Sequence, residues 1–155
     1  MTIRELKYED CEKAAVLLLE LDALHVQNRK EIKPEILDLQ YRKKHLTDHL
    51  LANKNNMAMV AEENNEIIGF VSGETRAIGN HLIFRDSVVG QINDLIVRRD
   101  YQKRGVGRKL INEMEARLRT MGADHLDLKV YDFNKDAIRF YEQIGFKRKI
   151  IVFER

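Results

Sequence analysis

The chain has 155 residues, of which 44% are apolar and 34% charged, and its formal net charge is +2. This length gives one domain with a sizeable core, and the composition argues against a disordered chain. We therefore expect a single domain over residues 1–155.

Sequence features also limit the compartment and the kind of site. No apolar run approaches the length of a membrane span, and the N-terminus lacks the apolar core of a signal peptide, so we expect a cytoplasmic protein that does not engage membranes. Cys11 is the only cysteine, which excludes an internal disulfide and a cysteine-based zinc cluster.

Positive charge is concentrated in one short segment. Residues 98–109 contain six Lys or Arg and one Asp, so the segment carries +5 while the remaining residues sum to −3. A basic spot on a slightly acidic body suggests a compact anionic partner.

The first half of the chain predicts one strand and two helices. Thr2 to Leu6 is strand-like, and apolar residues then recur at helical spacing over residues 9–26. Pro34 suits the first turn of a second helix. The apolar side of that second helix would consist of Ile36, Leu39, Leu46 and Leu50.

Three strand-like segments come next. Met57–Ala61 and Ile67–Val71 flank Glu63-Asn64-Asn65-Glu66, a plausible hairpin turn because Asn tolerates positive φ. The third segment, Val88 to Val97, ends in an apolar run.

The last third alternates helix and strand. Residues 105–121 predict a helix ended by Gly122, and Leu126–Val130 alternates like a strand. A short helix stopped by Gly145 precedes a final predicted strand, Phe146 to Phe153. This interleaving implies parallel pairing and an α/β or mixed α+β domain.

The strongest local motif is Gln102-Lys103-Arg104-Gly105-Val106-Gly107, between a predicted strand and a predicted helix. Glycines allow close approach of backbone N–H groups to a ligand, and a helix N-terminus attracts anions, so this loop fits a phosphate or pyrophosphate. It is not a Walker A loop, because no hydroxyl follows Gly107, and it lacks the third glycine of a dinucleotide fingerprint.

A second motif spans residues 134–146. Asn134 opens the short helix, where it could cap the helix, bind a ligand amide, or do both. Tyr141 could donate a proton from its phenol, or simply be an aromatic residue at the edge of the core.

Together these residues resemble the GNAT superfamily of acyl-CoA-dependent N-acyltransferases. The resemblance rests on Gln-x-x-Gly-x-Gly at 102–107, on the preceding strand Ile92–Val97, and on Asn-x-x-Ala-x-x-Phe-Tyr-x-x-x-Gly-Phe at 134–146. It implies a twisted mixed sheet, flanked by helices, whose central parallel strands splay apart and bind acetyl-CoA in the gap. The implied activity is acetyl transfer to a primary amine of a small molecule, peptide or protein, without a metal. By family analogy the chain would form a homodimer.

The resemblance also assigns roles to residues. Leu95 and Val97 would pair with the pantetheine arm, the N–H groups from Lys103 to Arg108 would hold the pyrophosphate, and Tyr141 would lie near the sulfur. The full set that it implies for cofactor binding is Leu95, Ile96, Val97, Gln102, Lys103, Arg104, Gly105, Val106, Gly107, Arg108, Asn134, Ala137 and Tyr141.

Aminolysis of a thioester requires a neutral amine, an oxyanion donor and a proton for the thiolate. A strand N–H at Leu95 or Ile96 could stabilise the oxyanion, and Tyr141 is the candidate general acid. Candidates near the amine are Asn93, which could orient a water, and Asp94, which strand alternation places on the opposite face. Asp94 could instead have a structural role and tie down the loop. Two further possibilities for the proton acceptor are Glu74 and water, the latter with direct attack by the amine.

Several histidines are candidates for metal ligands or substrate contacts. His45 and His49 stand four apart, as in a two-His metal face, but no carboxylate or cysteine completes a site, so we expect a solvated helix face. His25 and Asn28 could touch substrate, although a surface loop is the expectation. We expect Cys11 to be a small buried apolar group.

Two other functions remain as alternatives. The basic segment could bind nucleic acid, but it forms one spot rather than a stripe and no nucleic-acid motif accompanies it, so nucleic acid is not the expected partner. A non-catalytic domain that senses acyl-CoA is the other alternative, because no residue is secured as the base.

Overall fold

A computed structural model describes residues 1–155 as a five-stranded sheet with helices on both faces. The strands lie side by side in chain order; the first three pairings are antiparallel, and the last is parallel. This is the mixed α/β sheet that the order of the predicted elements indicated. The strands are β1 (Thr2–Glu5), β2 (Asn56–Glu63), β3 (Glu66–Ile78), β4 (Ser87–Val97) and β5 (His125–Leu128).

Helices cover both faces because successive strand residues point to opposite sides. Phe70 of β3 packs in one apolar cluster with Leu18, whereas Val71 packs in a second cluster with Leu110 and Met114. None of the helices combines the length and the apolar character that crossing a membrane requires. The helices are α1 (Cys11–Asn28), α2 (Leu39–His45), α3 (Val106–Thr120) and α4 (Lys135–Gln143).

The predicted second helix is not continuous. Pro34–Leu37 forms only a 3₁₀ turn, and Asp38 then takes an extended conformation and caps α2 by accepting a hydrogen bond from the Tyr41 backbone N–H at 2.8 Å. After α2 the chain continues in a wide π turn over Leu46–Leu51. Asp38 is a better cap than an interior helix residue, which explains the break.

A bulge in β4 changes which side chains share a face. Ser72 pairs with Asp94 and Gly73 pairs with Ile92, so Asn93 is an extra residue between two paired ones. Strict alternation, which placed Asn93 and Asp94 on opposite faces, was therefore the wrong expectation. Because of the bulge, both residues line the same cavity beside α1 and α2.

β4 and β5 pair only over their first part. Ile92 pairs with Leu128, the last residue of β5, whereas β4 continues to Val97 without a neighbour on that side. The predicted strand Leu126–Val130 is thus displaced to His125–Leu128. The two parallel strands part at this point, which leaves an open edge of β4 beside the loop that follows it.

The predicted final strand, Phe146 to Phe153, does not form. Residues Ile150–Phe153 are between 71% and 90% exposed, and no strand of the sheet pairs with them. Side-chain ion pairs hold this tail instead, from Lys149 to Asp127 and from Glu154 to Arg29. High β-propensity produced the prediction, but a strand also needs a hydrogen-bonding partner.

Candidate active site

The loop between β4 and α3 turns sharply, through residues in the left-handed region, just before a helix begins. Lys103 and Gly105 have positive φ, at 59° and 82°, and α3 begins directly afterwards at Val106. A Cβ built on Gly105 would meet no atom within 4 Å, so the space in front of this turn is open. The Gln102 side-chain amide donates to the Val97 carbonyl at 2.9 Å and ties the loop to the end of β4.

The charges of this basic loop are not all equally available. Arg98 is paired with Glu66 and Asp100, and its guanidinium also lies over the Tyr101 ring. Lys103, Arg104 and Arg108 make no ion pair. The Arg104 guanidinium lies over the same Tyr101 ring, at 5.2 Å from its centroid. The unpaired cations flank the first turn of α3, where the helix dipole adds positive potential.

Helix α4 packs against the start of α3. A Cβ on Gly107 would lie 3.2 Å from the Phe140 ring, which is tighter than an ordinary contact, so the glycine lets the two helices approach without displacing this ring. Asn134 caps α4, with its side-chain oxygen accepting from the Ala137 backbone N–H at 3.1 Å. The capping role of Asn134 is therefore present, and its amide NH₂ is left for other partners.

Tyr141 of α4 lies in an apolar setting close to a carboxylate. Its ring makes edge contacts with Phe140 and Phe146 at 5.2 and 5.7 Å between centroids. Burial, assisted by the negative charge of Asp94, raises the pKa of Tyr141 to about 12. The phenol is therefore protonated throughout the neutral range and can act as a proton donor.

A cavity of about 420 Å³ lies on the other side of Asp94, between the sheet and helices α1 and α2. Its strand wall contains Ser72, Glu74, Asn93 and Asp94. This volume lies within the usual range for small-molecule sites.

Asp94 is held in the cavity wall by two neighbours. One carboxylate oxygen accepts from the Ser72 hydroxyl at 2.9 Å, and the other lies 3.5 Å from the Arg42 guanidinium. Arg42 also approaches Asp22 at 2.9 Å. Helices α1 and α2 therefore meet β4 through a group of three charges, of which Asp22 and Arg42 are buried and Asp94 is partly exposed.

Comparison with known proteins identifies the family. Residues 20–146 match the Acetyltransferase (GNAT) family. The chain belongs to the GNAT acetyltransferase family.

A curated relative supports this assignment. An uncharacterized N-acetyltransferase of Methanocaldococcus jannaschii is 33% identical over 93 residues. The match covers 60% of this GNAT chain and 40% of that protein, so the chain spans less than half the length of its relative.

Solved structures share the GNAT fold. A Bacillus halodurans protein, solved as a mutant, has a TM-score of 0.85 at 23% identity, covering 100% of this chain and 98% of that one. A transcriptional regulator from Bacillus halodurans has a TM-score of 0.78 at 24% identity, covering 99% and 97%. Aminoglycoside N-acetyltransferase AAC(6')-Iy in complex with CoA has a TM-score of 0.74 at 16% identity, covering 99% and 98%.

The histidines of this GNAT chain lie differently from the sequence prediction. His25 is part of α1 rather than of a loop, and burial lowers its pKa. Its ring packs edge-on against Tyr131 and Phe133, which precede α4. His45 and His49 are exposed, as expected, but both also line the cavity.

Sequence reasoning missed Asp22 and Arg42. Both stand at core-facing positions of their helices, Asp22 four residues after the buried Leu18, and Arg42 four before the buried Leu46. Opposite charges within the apolar stripes of two consecutive helices were the available signal, because such groups are rarely buried unless they pair.

Proposed function

We propose that this single domain is an N-acetyltransferase that transfers the acetyl group of acetyl-CoA to a primary amine. The observation that carries the proposal is the position of Asp94, which lines the cavity on one side and lies close enough to Tyr141 on the other to influence its pKa. An acceptor in the cavity and a thioester beside Tyr141 would therefore meet at the open edge of β4.

Acetyl-CoA suits the loop and the strand edge that the GNAT resemblance implies for cofactor binding. The positive φ at Gly105, the open space in front of it and the unpaired Arg104 and Arg108 suit a pyrophosphate. The open edge of β4 from residue 93 to 97 offers backbone groups to an extended pantetheine arm, in the manner of an added strand. The complex of AAC(6')-Iy with CoA agrees with this choice.

The reaction needs little from the protein beyond orientation and proton transfer. The thioester supplies an activated acetyl group and a thiolate leaving group. A neutral amine attacks the carbonyl carbon, and a backbone N–H at Leu95 or Ile96 stabilises the oxyanion. Collapse breaks the carbon–sulfur bond, and Tyr141 gives its proton to the sulfur. The attacking nitrogen loses one proton as it becomes an amide, and that proton returns the Tyr141 phenolate to a phenol through solvent.

The amine must lose its proton before it attacks, since free primary amines have pKa values near ~10. Asp94 and Asn93 share the cavity, and we assign Asp94 the role of accepting the proton, directly or through a water that Asn93 orients. The complex of AAC(6')-Iy with a bisubstrate analog that joins CoA to an acetylated neamine supports an amine acceptor of this kind.

The decisive experiment is a panel of primary amines with acetyl-CoA, followed by release of free thiol above background hydrolysis. We expect at least one amine to accelerate release. Binding of acetyl-CoA without acceleration by any amine would instead favour an acyl-CoA sensor. Salt-dependent binding of short nucleic acid in the absence of CoA binding would overturn the proposal.

The loop over residues 103–108, which we call the anion cradle, can be tested separately. Gly105→Glu adds a carboxylate at a positive-φ turn, so it should abolish CoA binding while the far-UV spectrum stays unchanged. Gly79→Glu, in the loop between β3 and β4, introduces the same side chain away from the cradle and should keep normal affinity. Unchanged CoA affinity in the Gly105→Glu variant would contradict the cradle.

A further inference from the structure

The buried charges beside the cavity do not balance. Asp22 and Asp94 share a single guanidinium, that of Arg42. Asp22 and Arg42 are only 3% and 4% exposed, so solvent does little to compensate the difference. The facing atoms of this pair also lack an aligned hydrogen bond, although they are 2.9 Å apart. Asp94 is partly exposed toward the cavity, with 28% of its side chain accessible, so a cation in the cavity can balance the one surplus negative charge of the group.

Glu74 is a further unbalanced carboxylate on the same wall. Its side chain is half-buried and lines the cavity, and its carboxylate makes neither a hydrogen bond nor an ion pair with any residue of the chain. Glu74 stands two residues from Ser72 on the same face of β3, which corresponds to about 7 Å along the strand. Because the Ser72 hydroxyl holds Asp94, the two carboxylates are spaced along one wall of one cavity.

We propose that the acceptor is a small molecule with at least two ammonium groups. One amine lies beside Asp94 and is acetylated, while Glu74 binds the second as an ammonium ion. A short linear diamine is the simplest molecule of this class. This inference rests on the proposed acetyl transfer and adds the substrate class and a specificity-determining residue.

The cavity favours a small molecule over a protein lysine. A lysine side chain brings one ammonium group, which can balance the charge at Asp94 but leaves Glu74 unpaired. A diamine pairs both carboxylates, and hydrogen bonds between charged groups are worth about 1.5–3 kcal/mol each, or roughly a tenfold to hundredfold gain in affinity.

The test compares 1,4-diaminobutane with 4-aminobutan-1-ol, in which a hydroxyl replaces the second amine. It uses the full chain at about pH 8, where His25 and His45 are neutral because partial burial lowers the pKa of each. We expect the unmodified protein to prefer the diamine by at least about tenfold in kcat/KM, beyond the twofold statistical advantage of two amines. Glu74→Gln should reduce that ratio to about the statistical value, since a neutral amide binds an ammonium ion more weakly than a carboxylate does.

Glu113→Gln is the matched control, because it removes the same charge from an exposed position on α3, across the sheet. The ratio should be unchanged in this variant. If Glu74 were the proton acceptor instead, Glu74→Gln would slow both acceptors equally and leave the ratio intact, which would overturn the inference. A ratio of the two kcat/KM values near two in the unmodified protein would also overturn the inference. Acetylation of the amino alcohol would in that case still support the proposed function.

Failure of the proposed function is separable from failure of this inference. If neither amine is acetylated, titration calorimetry of 1,4-diaminobutane with the unmodified protein and with Glu74→Gln tests the charge pairing directly. Weaker binding to the variant supports the inference, whereas equal binding or no binding to either protein refutes it.

Discussion

Ionisable residues in the site have their protonation states set by burial and by neighbouring charge. Burial raises the pKa of Tyr141 to about 12, and burial likewise raises the pKa of Asp22 to about 6 against the opposing effect of Arg42. The same desolvation lowers the pKa of His45, as does the nearby positive charge of Arg42. Near neutral pH the phenol is thus a donor, and His45 is uncharged.

Tyr141→Phe removes the proposed general acid while keeping the ring that packs on Phe140 and Phe146. We expect kcat to fall by up to about 10²-fold, because a thiolate is already a fair leaving group. Affinity for CoA, measured by calorimetry, should stay within twofold of normal, at about the error of such a comparison. An unchanged kcat in this variant would remove Tyr141 from the mechanism.

Asp22 should make stability depend on pH in an unusual direction. Its folded-state pKa of about 6 is above the ordinary value of 3.8, so the folded state binds this proton more tightly than the unfolded state. The contribution of Asp22 to stability is therefore greatest below the unfolded pKa and declines as pH rises from about 4 to about 6. In the unmodified protein, Asp22 should lower the free energy of unfolding by about 2 kcal/mol as pH rises through this window. Asp22→Asn should remove that decrease, as measured by urea denaturation at several pH values. Parallel profiles for the two proteins would refute this assignment.

Short elements, rather than the long helices, place the reactive groups. The bulge at Asn93 turns Asp94 into the cavity, and the wide turn after α2 buries Leu46 and Leu50 so that Arg42 points at the sheet. Helix α4 has only nine residues and carries Tyr141. Its position depends on the Asn134 cap at one end and on a glycine at the other.

Gly145→Ala tests that end of α4. Gly145 has a φ of 103°, a conformation that costs an alanine about 1–2 kcal/mol. We expect a loss of stability of that size in chemical denaturation, together with a lower kcat, because Phe146 packs on Tyr141. Gly79→Ala, where φ is not positive and the added Cβ meets only ordinary contacts, should be close to neutral. Equal stability of the two variants would show that the turn does not hold α4.

For the whole molecule, positive and negative charge are concentrated at different places. A net charge of +2 conceals a basic loop at the start of α3 and a surplus of carboxylates in the cavity on the opposite side of Asp94. An anionic donor and a cationic acceptor would each be drawn to its own end of the site.

Salt should therefore weaken CoA binding. Exposed charges interact over about 30 Å at 0.01 M salt but over only about 3 Å at 1 M. We expect the Kd for CoA to rise with salt, and Arg104→Gln combined with Arg108→Gln to weaken binding at low salt and reduce the salt dependence. Replacing Arg117 and Arg119, which have carboxylate partners at the far end of α3, should leave the salt dependence of the Kd unchanged. If the Arg104 and Arg108 substitutions also left it unchanged, the phosphates of CoA would bind elsewhere.

Local sequence determined the parts of this protein that depend on neighbours in the chain. The α3 periodicity, the Asn64-Asn65 turn and the glycines at 105, 122 and 145 are confirmed, because helix amphipathicity and positive φ are properties of short segments. The GNAT family followed from two such segments in the right order. The roles assigned to individual cofactor-binding and catalytic residues stay predictions.

Tertiary structure alone decided the wall of the cavity in which we propose that the acceptor binds. Asp22, Arg42 and Asp94 come from three elements and are brought together only by helix-to-sheet packing. Helical spacing can indicate that Asp22 and Arg42 are buried, but it cannot indicate that they meet Asp94. One extra residue in β4 changed the face on which Asp94 lies, and the apolar tail at 150–153 found no strand to pair with. Strand register and pairing depend on residues that are distant in sequence, whereas a helix or a tight turn is specified within a few residues.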